Sequence, residues 1–158
     1  MIKVMFVCHG NICRSPMAEA VMKELAVRAQ VADRLLVSSA GTSDEEIWNG
    51  IGNTVFPQAQ AELKKQGIPC PDHRSVQLRK SDYAEYDLFL GMDRWNLENM
   101  KRIFGGDPAG KIRPLLTFAG RDADVADPWY SGKFDVAYAD ILAGCEGLLD
   151  YLIREGLL

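Results

Sequence analysis

The stretch VCHGNICRSP, residues 7–16, places several chemically reactive side chains in one short segment. It contains two of the chain's four cysteines, Cys8 and Cys13, one of its two histidines, His9, and Arg14. Such a group could be a redox pair, a metal site, a cradle for a phosphate group or an ordinary turn between a strand and a helix. Each alternative implies a different function, so residue types and spacing have to distinguish them.

A metal site and a nucleotide site fit this segment poorly. Four residues separate Cys8 from Cys13, and only His9 and His73 could join them, whereas structural zinc sites use four closely paired ligands. The chain also lacks the G-x-x-x-x-G-K-[ST] motif, and the glycines of NGIGNTV do not directly follow a strand. We therefore expect neither a metal ion nor a cofactor.

A phosphate cradle accounts best for the residue types. Backbone N–H groups between a strand and a helix can turn inward around an anion, and Gly10 and Asn11 adopt the required left-handed conformation easily. An ordinary turn would not explain Arg14, which is unfavourable at a helix N-terminus unless an anion lies there. The Arg14 guanidinium matches two phosphate oxygens. The positive field of these N–H groups and of Arg14 also acts on Cys8 and favours its nucleophilic thiolate. The Ser15 hydroxyl can stabilise the Cys8 sulfur when it leaves phosphorus.

The elements around this segment alternate between strands and helices. Apolar runs typical of buried strands cover residues 2–7, 35–41, 87–92 and 111–116. Helical spacing of apolar residues covers residues 17–29, 57–67, 94–104 and 134–152, with Ser15 and Pro16 as the predicted start of the first helix. Residues 42–56 are expected to form a long loop. The alternation predicts one α/β domain, a three-layer sandwich with a four-stranded parallel sheet and helices on both faces.

Ligands of such sheets bind at the carboxyl ends of the strands. The segments 8–15 and 41–54 and the residue Asp93 should meet there, together with the polar loop TFAGRDADVADPWY, residues 117–130. Hydrolysis of a phosphate ester through a nucleophile also needs an acid that protonates the leaving oxygen. A carboxylic acid is the expected donor.

Composition narrows the function classes further. The 158 residues carry a net charge of −4, which gives no basic field for nucleic acid or an anionic membrane. The apolar run of MIKVMFV is too short for a secretory signal, and four cysteines do not resemble a disulfide scaffold. We expect a cytoplasmic protein that binds neither nucleic acid nor membranes and is a monomer or associates weakly.

The string CHGNICRSP, with Cys8 separated by five residues from Arg14-Ser15, resembles the low-molecular-weight protein tyrosine phosphatase family. The resemblance continues along nearly the whole chain. Its further segments are SSAGTS (38–43), Trp48-Asn49, His73-Arg74, LGMD (90–93) and DPWY (127–130). It implies a flavodoxin-like sheet of order 2-1-3-4 in a single domain over residues 1–158.

The resemblance also implies a mechanism and a substrate. Cys8 would form a phosphocysteine intermediate, Arg14 would bind the phosphate and Asp127 would act as general acid and base. The loop residues His9, Gly10, Asn11, Ile12, Cys13, Arg14 and Ser15 would together hold the phosphate. The expected partner is a phosphotyrosine-containing protein or a small aryl phosphate. Related arginine phosphatases tend to have Thr at the position of Ile12, so Ile12 favours tyrosine.

Further roles follow from the same resemblance. Trp48, Trp129 and Tyr130 are candidate walls that select the phosphotyrosine ring, although the family usually has Tyr at position 129 and a shorter loop at 44–54. Asn11, Ser15, Ser43 and His73 would support the loop. Cys13 would pair with an oxidised Cys8 as a reversible redox lock.

Two alternatives of other classes stay open. An arsenate reductase on this fold needs two more closely spaced cysteines, and the chain has none between Cys70 and Cys145. A phosphate-binding module without catalysis would need neither Cys8 nor Asp127.

Overall fold

The computed structural model describes residues 1–158 and contains six strands and six α-helices. The strands are β1 (Ile2–Cys8), β2 (Leu35–Gly41), β3 (Ile47–Trp48), β4 (Ile51–Gly52), β5 (Leu88–Gly91) and β6 (Ile112–Pro114). The helices are α1 (Arg14–Arg28), α2 (Pro57–Lys65), α3 (Asp82–Glu85), α4 (Arg94–Phe104), α5 (Pro128–Ser131) and α6 (Phe134–Arg154). Two short 3₁₀ turns cover Ala32–Arg34 and Leu115–Ala119.

Four strands form one parallel sheet in the order β2-β1-β5-β6. Counting only these strands along the chain, this is the predicted order 2-1-3-4, so the predicted fold class is confirmed. The register pairs Cys8 with Gly41 on one side of β1 and Val7 with Gly91 on the other. The carboxyl ends of three neighbouring strands therefore meet at the segment 8–15.

Helices cover both faces of the sheet because the side chains of β1 alternate between two apolar cores. Val4 and Phe6 belong to the larger core, with residues of α1, α2 and α6. Met5 and Val7 belong to the smaller core, against α4. β1 is thus buried on both faces, as its continuous apolar run predicts. No helix of this fold combines the length and the apolar character needed to span a bilayer.

Several boundaries differ from the sequence-based expectation. The first helix begins at Arg14 and not at residue 17, so Ser15 lies inside its first turn and does not cap it; Cys13 precedes the helix without a side-chain cap. The fourth strand ends at Pro114, which has no N–H to continue the ladder, and a 3₁₀ turn follows. The short helices α3 and α5 carry too few residues to show a helical period.

The expected long loop at 42–56 also contains regular structure. β3 and β4 pair as a short antiparallel hairpin. Its turn consists of Asn49 and Gly50, both with positive φ, which is the typical chemistry of a two-residue hairpin turn. This hairpin decides which side chains of the 44–54 segment reach the sheet edge.

Candidate active site

A cavity of about 150 Å³ lies at the carboxyl end of β1. Gly41 allows the end of β2 to pass close to the backbone of the 8–15 segment, because a Cβ at position 41 would lie 2.7 Å from the His9 carbonyl oxygen. The lining residues come from the 8–14 segment, from the two residues before the β3–β4 hairpin, and from Asp127 with the helix α5 that follows it. They are Cys8, His9, Gly10, Asn11, Ile12, Cys13, Arg14, Glu45, Glu46, Asp127, Trp129 and Tyr130.

Cys8 is the buried thiol at the base of the cavity, and two donors approach its sulfur. Its Sγ lies 2.9 Å from Ser15 Oγ and accepts the Asn11 N–H at 3.3 Å. Since Ser15 Oγ already accepts an N–H from the Asn11 amide at 2.8 Å, the Ser15 hydroxyl proton is free to point at the sulfur. Both donors would stabilise negative charge on Sγ.

The loop that follows Cys8 offers unpaired backbone donors. The N–H groups of Gly10, Ile12, Cys13, Arg14 and Ser15 donate to no acceptor within the protein. Carbonyl groups of the same loop are bonded outward instead, Gly10 O to Ser75 Oγ at 2.8 Å and Ile12 O to the Phe56 N–H at 2.8 Å. A loop whose carbonyls are bonded and whose N–H groups are free is suited to an anion.

Asn11 holds this loop in shape. Its backbone has φ 59°, the left-handed region that Asn tolerates better than most residues, and its side chain is fully buried. The amide nitrogen donates to Ser15 Oγ at 2.8 Å and to Ser39 Oγ at 3.0 Å. The amide oxygen accepts the Val76 N–H at 3.0 Å and lies 2.9 Å from His73 Nε2. All hydrogen-bonding capacity of the amide is therefore used.

The bond with Val76 fixes the orientation of the Asn11 amide, so His73 Nε2 must be the donor towards its oxygen. Burial lowers the pKa of His73, although the charge of Glu19, 3.7 Å from Nδ1, opposes part of that effect. Glu19 is itself buried, accepts the Ser39 hydroxyl at 2.7 Å and pairs with Lys23 at 2.6 Å. A neutral His73 with its proton on Nε2 therefore belongs to a closed polar network beneath the loop.

Arg14 is buried, and all its side-chain hydrogen bonds within the protein use one nitrogen. Its Nη1 donates to Asp93 Oδ2 at 2.7 Å and to the Val125 carbonyl at 2.8 Å. Burial opposes its charge, yet the neighbouring Cys8, Asp93 and Asp127 raise its pKa above the ordinary arginine value. The donors on Nε and Nη2 make no hydrogen bond within the protein, which leaves the edge of the guanidinium that matches two phosphate oxygens.

Asp127 stands at the mouth of the cavity, immediately before α5. Its Oδ1 caps that short helix by accepting the Trp129 N–H at 3.0 Å, and its Oδ2 lies 3.5 Å from Arg14 Nη2. The carboxyl group is part-exposed, so it can contact both solvent and a molecule inside the cavity. Asp127, Arg14 and Cys8 thus line the same cavity.

The walls of the cavity differ from the prediction at one residue. Trp129 and Tyr130 line it as expected, but Trp48 does not and is 79% exposed. The cause is the β3–β4 hairpin, which holds Trp48 on the solvent side and leaves Glu45 and Glu46 at the wall. The lining therefore includes two aromatic side chains, Trp129 and Tyr130, and an acidic wall formed by Glu45 and Glu46.

The remaining predicted residues have separate environments. Ser43 lies outside the network of Asn11; its hydroxyl donates to the His9 carbonyl at 3.1 Å, and Ser39 takes the expected place beside Asn11. His9 is exposed and pairs with Glu45 at 3.1 Å. Burial and the charge of Cys8 raise the pKa of Cys13 to about 12, so Cys13 stays a thiol.

Sequence reasoning missed Ser39, Glu19 and the acidic wall. Ser39 lies within SSAGTS, where it was one of several serines, and its place against Asn11 depends on the parallel pairing of β1 with β2. Glu19 looks in the sequence like an ordinary polar residue of α1, so nothing there marks it as a buried partner of Ser39. Asp93 was expected at the carboxyl edge of the sheet. It lies there, accepts the Asn96 N–H at 2.9 Å and accepts an N–H from Arg14 Nη1 at 2.7 Å, a partner that the sequence did not name.

Nothing in the side-chain arrangement suggests a metal centre, since no three His, Cys, Asp or Glu residues cluster in a way that could hold an ion. A thiol beneath free N–H groups, an arginine edge and a part-exposed carboxyl group at the mouth define the site of a cysteine-dependent phosphoryl-transfer enzyme.

Comparison with known proteins agrees with that class. A family model described as low molecular weight phosphotyrosine protein phosphatase matches residues 3–157. The low-molecular-weight protein-tyrosine-phosphatase YfkJ of Bacillus subtilis is 35% identical over 157 residues, covering 98% of each chain. PtpA of Staphylococcus aureus, described in the same words, is 35% identical over 156 residues, covering 98% of this chain and 96% of its own.

The similarity extends to solved structures. The crystal structure of YfkJ superposes with a TM-score of 0.92 at 34% identity, covering 98% of this chain and 96% of that one. An arginine phosphatase from Drosophila superposes with a TM-score of 0.84 at 32% identity, covering 95% of this chain and 97% of that one. The chain belongs to the low-molecular-weight phosphotyrosine protein phosphatase family and is a hydrolase.

The lowered pKa of His73 predicts a pH dependence of stability. Because the unfolded chain protonates His73 near 6.5 and the native protein only at lower pH, the free energy of unfolding should fall as the pH decreases below that value. The variant His73→Gln should lose this contribution. Urea denaturation at several pH values between about 7 and 5 would measure it.

The exposed histidine gives the matched control for that measurement. His9→Gln should keep most of the wild-type pH dependence, because His9 is half exposed at the protein surface. An unchanged pH dependence in His73→Gln would show that His73 is not the group responsible.

Proposed function

We propose that this protein hydrolyses phosphotyrosine in proteins, and small aryl phosphates, through a phosphocysteine intermediate at Cys8. The observation that carries this proposal is the set of free backbone N–H groups around the Cys8 sulfur, with the unbonded edge of Arg14 beside them. A tyrosyl phosphate would place its three non-bridging oxygens among these donors, and its phosphorus would then face Sγ.

In the first step the Cys8 thiolate attacks phosphorus and the bond to the tyrosyl oxygen breaks. Asp127 gives its proton to that oxygen, so tyrosine leaves as a neutral phenol. The position of Asp127 at the mouth, 3.5 Å from Arg14 Nη2, supports this role, because the leaving group of a phosphate bound by Arg14 points outward. Arg14 and the loop N–H groups stabilise the charge on the transferring phosphoryl group.

In the second step the Asp127 carboxylate takes a proton from water, and the resulting oxygen nucleophile attacks the phosphocysteine. The phosphorus–sulfur bond breaks, inorganic phosphate leaves and Cys8 returns as a thiolate. The Ser15 hydroxyl, 2.9 Å from Sγ, stabilises the departing sulfur. No other reactant than water is needed.

The shape of the cavity favours tyrosine over serine. Trp129 and Tyr130 stand at the rim, so the phosphate of a short side chain would reach Cys8 only by bringing its backbone into the cavity. Ile12 in the lining is apolar, which suits an aryl ring better than a guanidinium. The Drosophila neighbour is named an arginine phosphatase, so the assay should include phosphoarginine peptides as well as phosphotyrosine peptides.

Three further expectations are proposals of the same kind. We propose that residues 1–158 act as one domain, because two cores share one sheet. A cytoplasmic location is supported by four free cysteines, since the reaction requires Cys8 reduced. We also expect a monomer or weak self-association, with a phosphotyrosine protein as the partner.

We further propose that Cys13 protects Cys8 during oxidation. Peroxide converts the Cys8 thiolate to a sulfenic acid, the Cys13 thiol attacks that sulfur, and a disulfide forms with release of water. Both cysteines lie in the same cavity, which supports this reaction. A thiol reductant then restores the two thiols.

The catalytic assignment predicts distinct losses in two variants. Cys8→Ser should lose at least about a thousandfold in kcat/KM on every substrate. Asp127→Ala should lose about 10²–10⁴-fold on phosphotyrosine but much less on p-nitrophenyl phosphate, whose leaving group hardly needs a proton. Steady-state kinetics with a chelator present should give the same values as without it.

Asp122→Ala is the control for Asp127, because Asp122 is an exposed carboxylate of the same loop with no part in the cavity. It should keep wild-type activity. Equal losses of Asp127→Ala on the two substrates would remove Asp127 from the acid role, and loss of activity on chelation would contradict the mechanism.

The redox assignment predicts the recovery of activity after oxidation. Wild-type enzyme treated with peroxide and then with dithiothreitol should regain most of its activity, while Cys13→Ser should regain much less because Cys8 oxidises further. Cys70→Ser, which changes an exposed cysteine, should recover as the wild type does. Equal recovery in Cys13→Ser would contradict the protective role.

A further inference from the structure

A second groove adjoins the active-site cavity on the far side of Trp129. Its volume is about 290 Å³, and it shares three lining residues with the cavity, namely Ile12, Glu46 and Trp129. The chain of a substrate whose phosphotyrosine occupies the cavity would pass this groove within one or two residues, since an extended chain advances about 3.3–3.6 Å per residue. The groove is therefore placed to receive a neighbouring side chain of the same substrate.

The groove has an apolar floor. Val55 and Phe56 line it, and the Phe56 ring packs edge-to-face on Trp129 with centroids 5.0 Å apart. Phe56 also stacks on Phe134 at 6.0 Å, which fixes its ring from below. Such a floor suits a long aliphatic stem, and aromatic faces attract a cation.

Glu46 lies where the groove and the cavity meet, and its position is fixed. Its Oε2 accepts an N–H from the Asn53 side chain at 2.7 Å, its carbonyl accepts the Asn53 backbone N–H at 2.8 Å, and its Cγ packs closely over Gly10. The other carboxylate oxygen, Oε1, has no hydrogen-bond partner in the protein. Glu45 is less available, because it pairs with His9.

No lysine, arginine or histidine forms a salt bridge with Glu46. Among residues lining either space the basic ones are Arg14, which is buried and paired with Asp93, and His9, which is paired with Glu45. A cation from the substrate would therefore complete an arrangement of apolar floor, aromatic rings and one free carboxylate oxygen.

Resting on the proposed function, we propose that this groove binds an arginine or lysine within two residues of the phosphotyrosine, and that Glu46 selects it. The aliphatic stem packs on Phe56 and Trp129, and the charged end pairs with Glu46 Oε1. Glu46 is thus a specificity-determining residue, and the enzyme discriminates between phosphotyrosine sites by their basic neighbours.

The test compares phosphotyrosine peptides that differ only in flanking arginine, glutamine or glutamate. For the wild type, kcat/KM should be about threefold to tenfold higher with arginine than with glutamine, mostly through KM, because a part-exposed ion pair with an aromatic partner has that size. In Glu46→Gln this ratio should fall close to one, and in Glu46→Lys the glutamate peptide should become the better substrate. Each ratio is taken within one variant, so a general change in activity cancels.

Asp44→Asn is the matched control, because it removes the same charge from an exposed residue of the same loop that lines neither space. It should keep the wild-type ratio. Raising the salt concentration should lower the wild-type ratio, which tests the ion pair without any substitution. A wild-type ratio of one, or an unchanged ratio in Glu46→Gln, would overturn the inference.

The assay also separates this inference from the proposed function. If phosphotyrosine peptides are hydrolysed without regard to their neighbours, only the inference fails. If phosphotyrosine peptides and p-nitrophenyl phosphate are both left intact while phosphoarginine peptides are hydrolysed, the proposed function fails and the acidic wall would serve the phosphoarginine itself.

Discussion

The left-handed turn at Asn11 is the constraint on which the site depends. This one residue turns the chain so that the N–H groups of the loop stay free around Cys8 while the loop carbonyls are bonded elsewhere. A buried amide with all its hydrogen bonds made offsets the cost of that backbone conformation. Ser39 and His73, from β2 and a distant loop, therefore act on Cys8 although neither touches its sulfur.

A second set of contacts couples the phosphate-binding arginine to the rest of the sheet edge. Asp93 caps α4 and also holds Arg14, so the end of β5 positions a residue of α1. The Val125 carbonyl accepts a hydrogen bond from the same guanidinium nitrogen, and the Val125 N–H donates to the Met92 carbonyl at 2.8 Å. The loop that carries Asp127 is thus fixed to Arg14. These contacts hold Asp127, Arg14 and Cys8 in constant positions relative to one another.

The sequence predicts what is local and fails on what depends on tertiary contacts. The segment 8–15 was predictable because nucleophile, turn residues and arginine are close along the chain, and the sheet because its strands are continuous apolar runs. The Glu19–Ser39 bond was not, since it joins a helix to a strand that only the fold brings together. Trp48 was placed at the wall for its residue type, but the Asn49-Gly50 turn decided its direction, and the carboxylate of Glu46 lies at the wall instead.

The most direct test of the account is to trap the covalent intermediate. Enzyme mixed with a phosphotyrosine peptide, quenched within one turnover and digested for mass spectrometry should carry one phosphoryl group on the peptide that contains Cys8, formed no later than free tyrosine is released. Phosphate release without any labelled enzyme, or a phosphoryl group on a residue other than Cys8, would contradict the account.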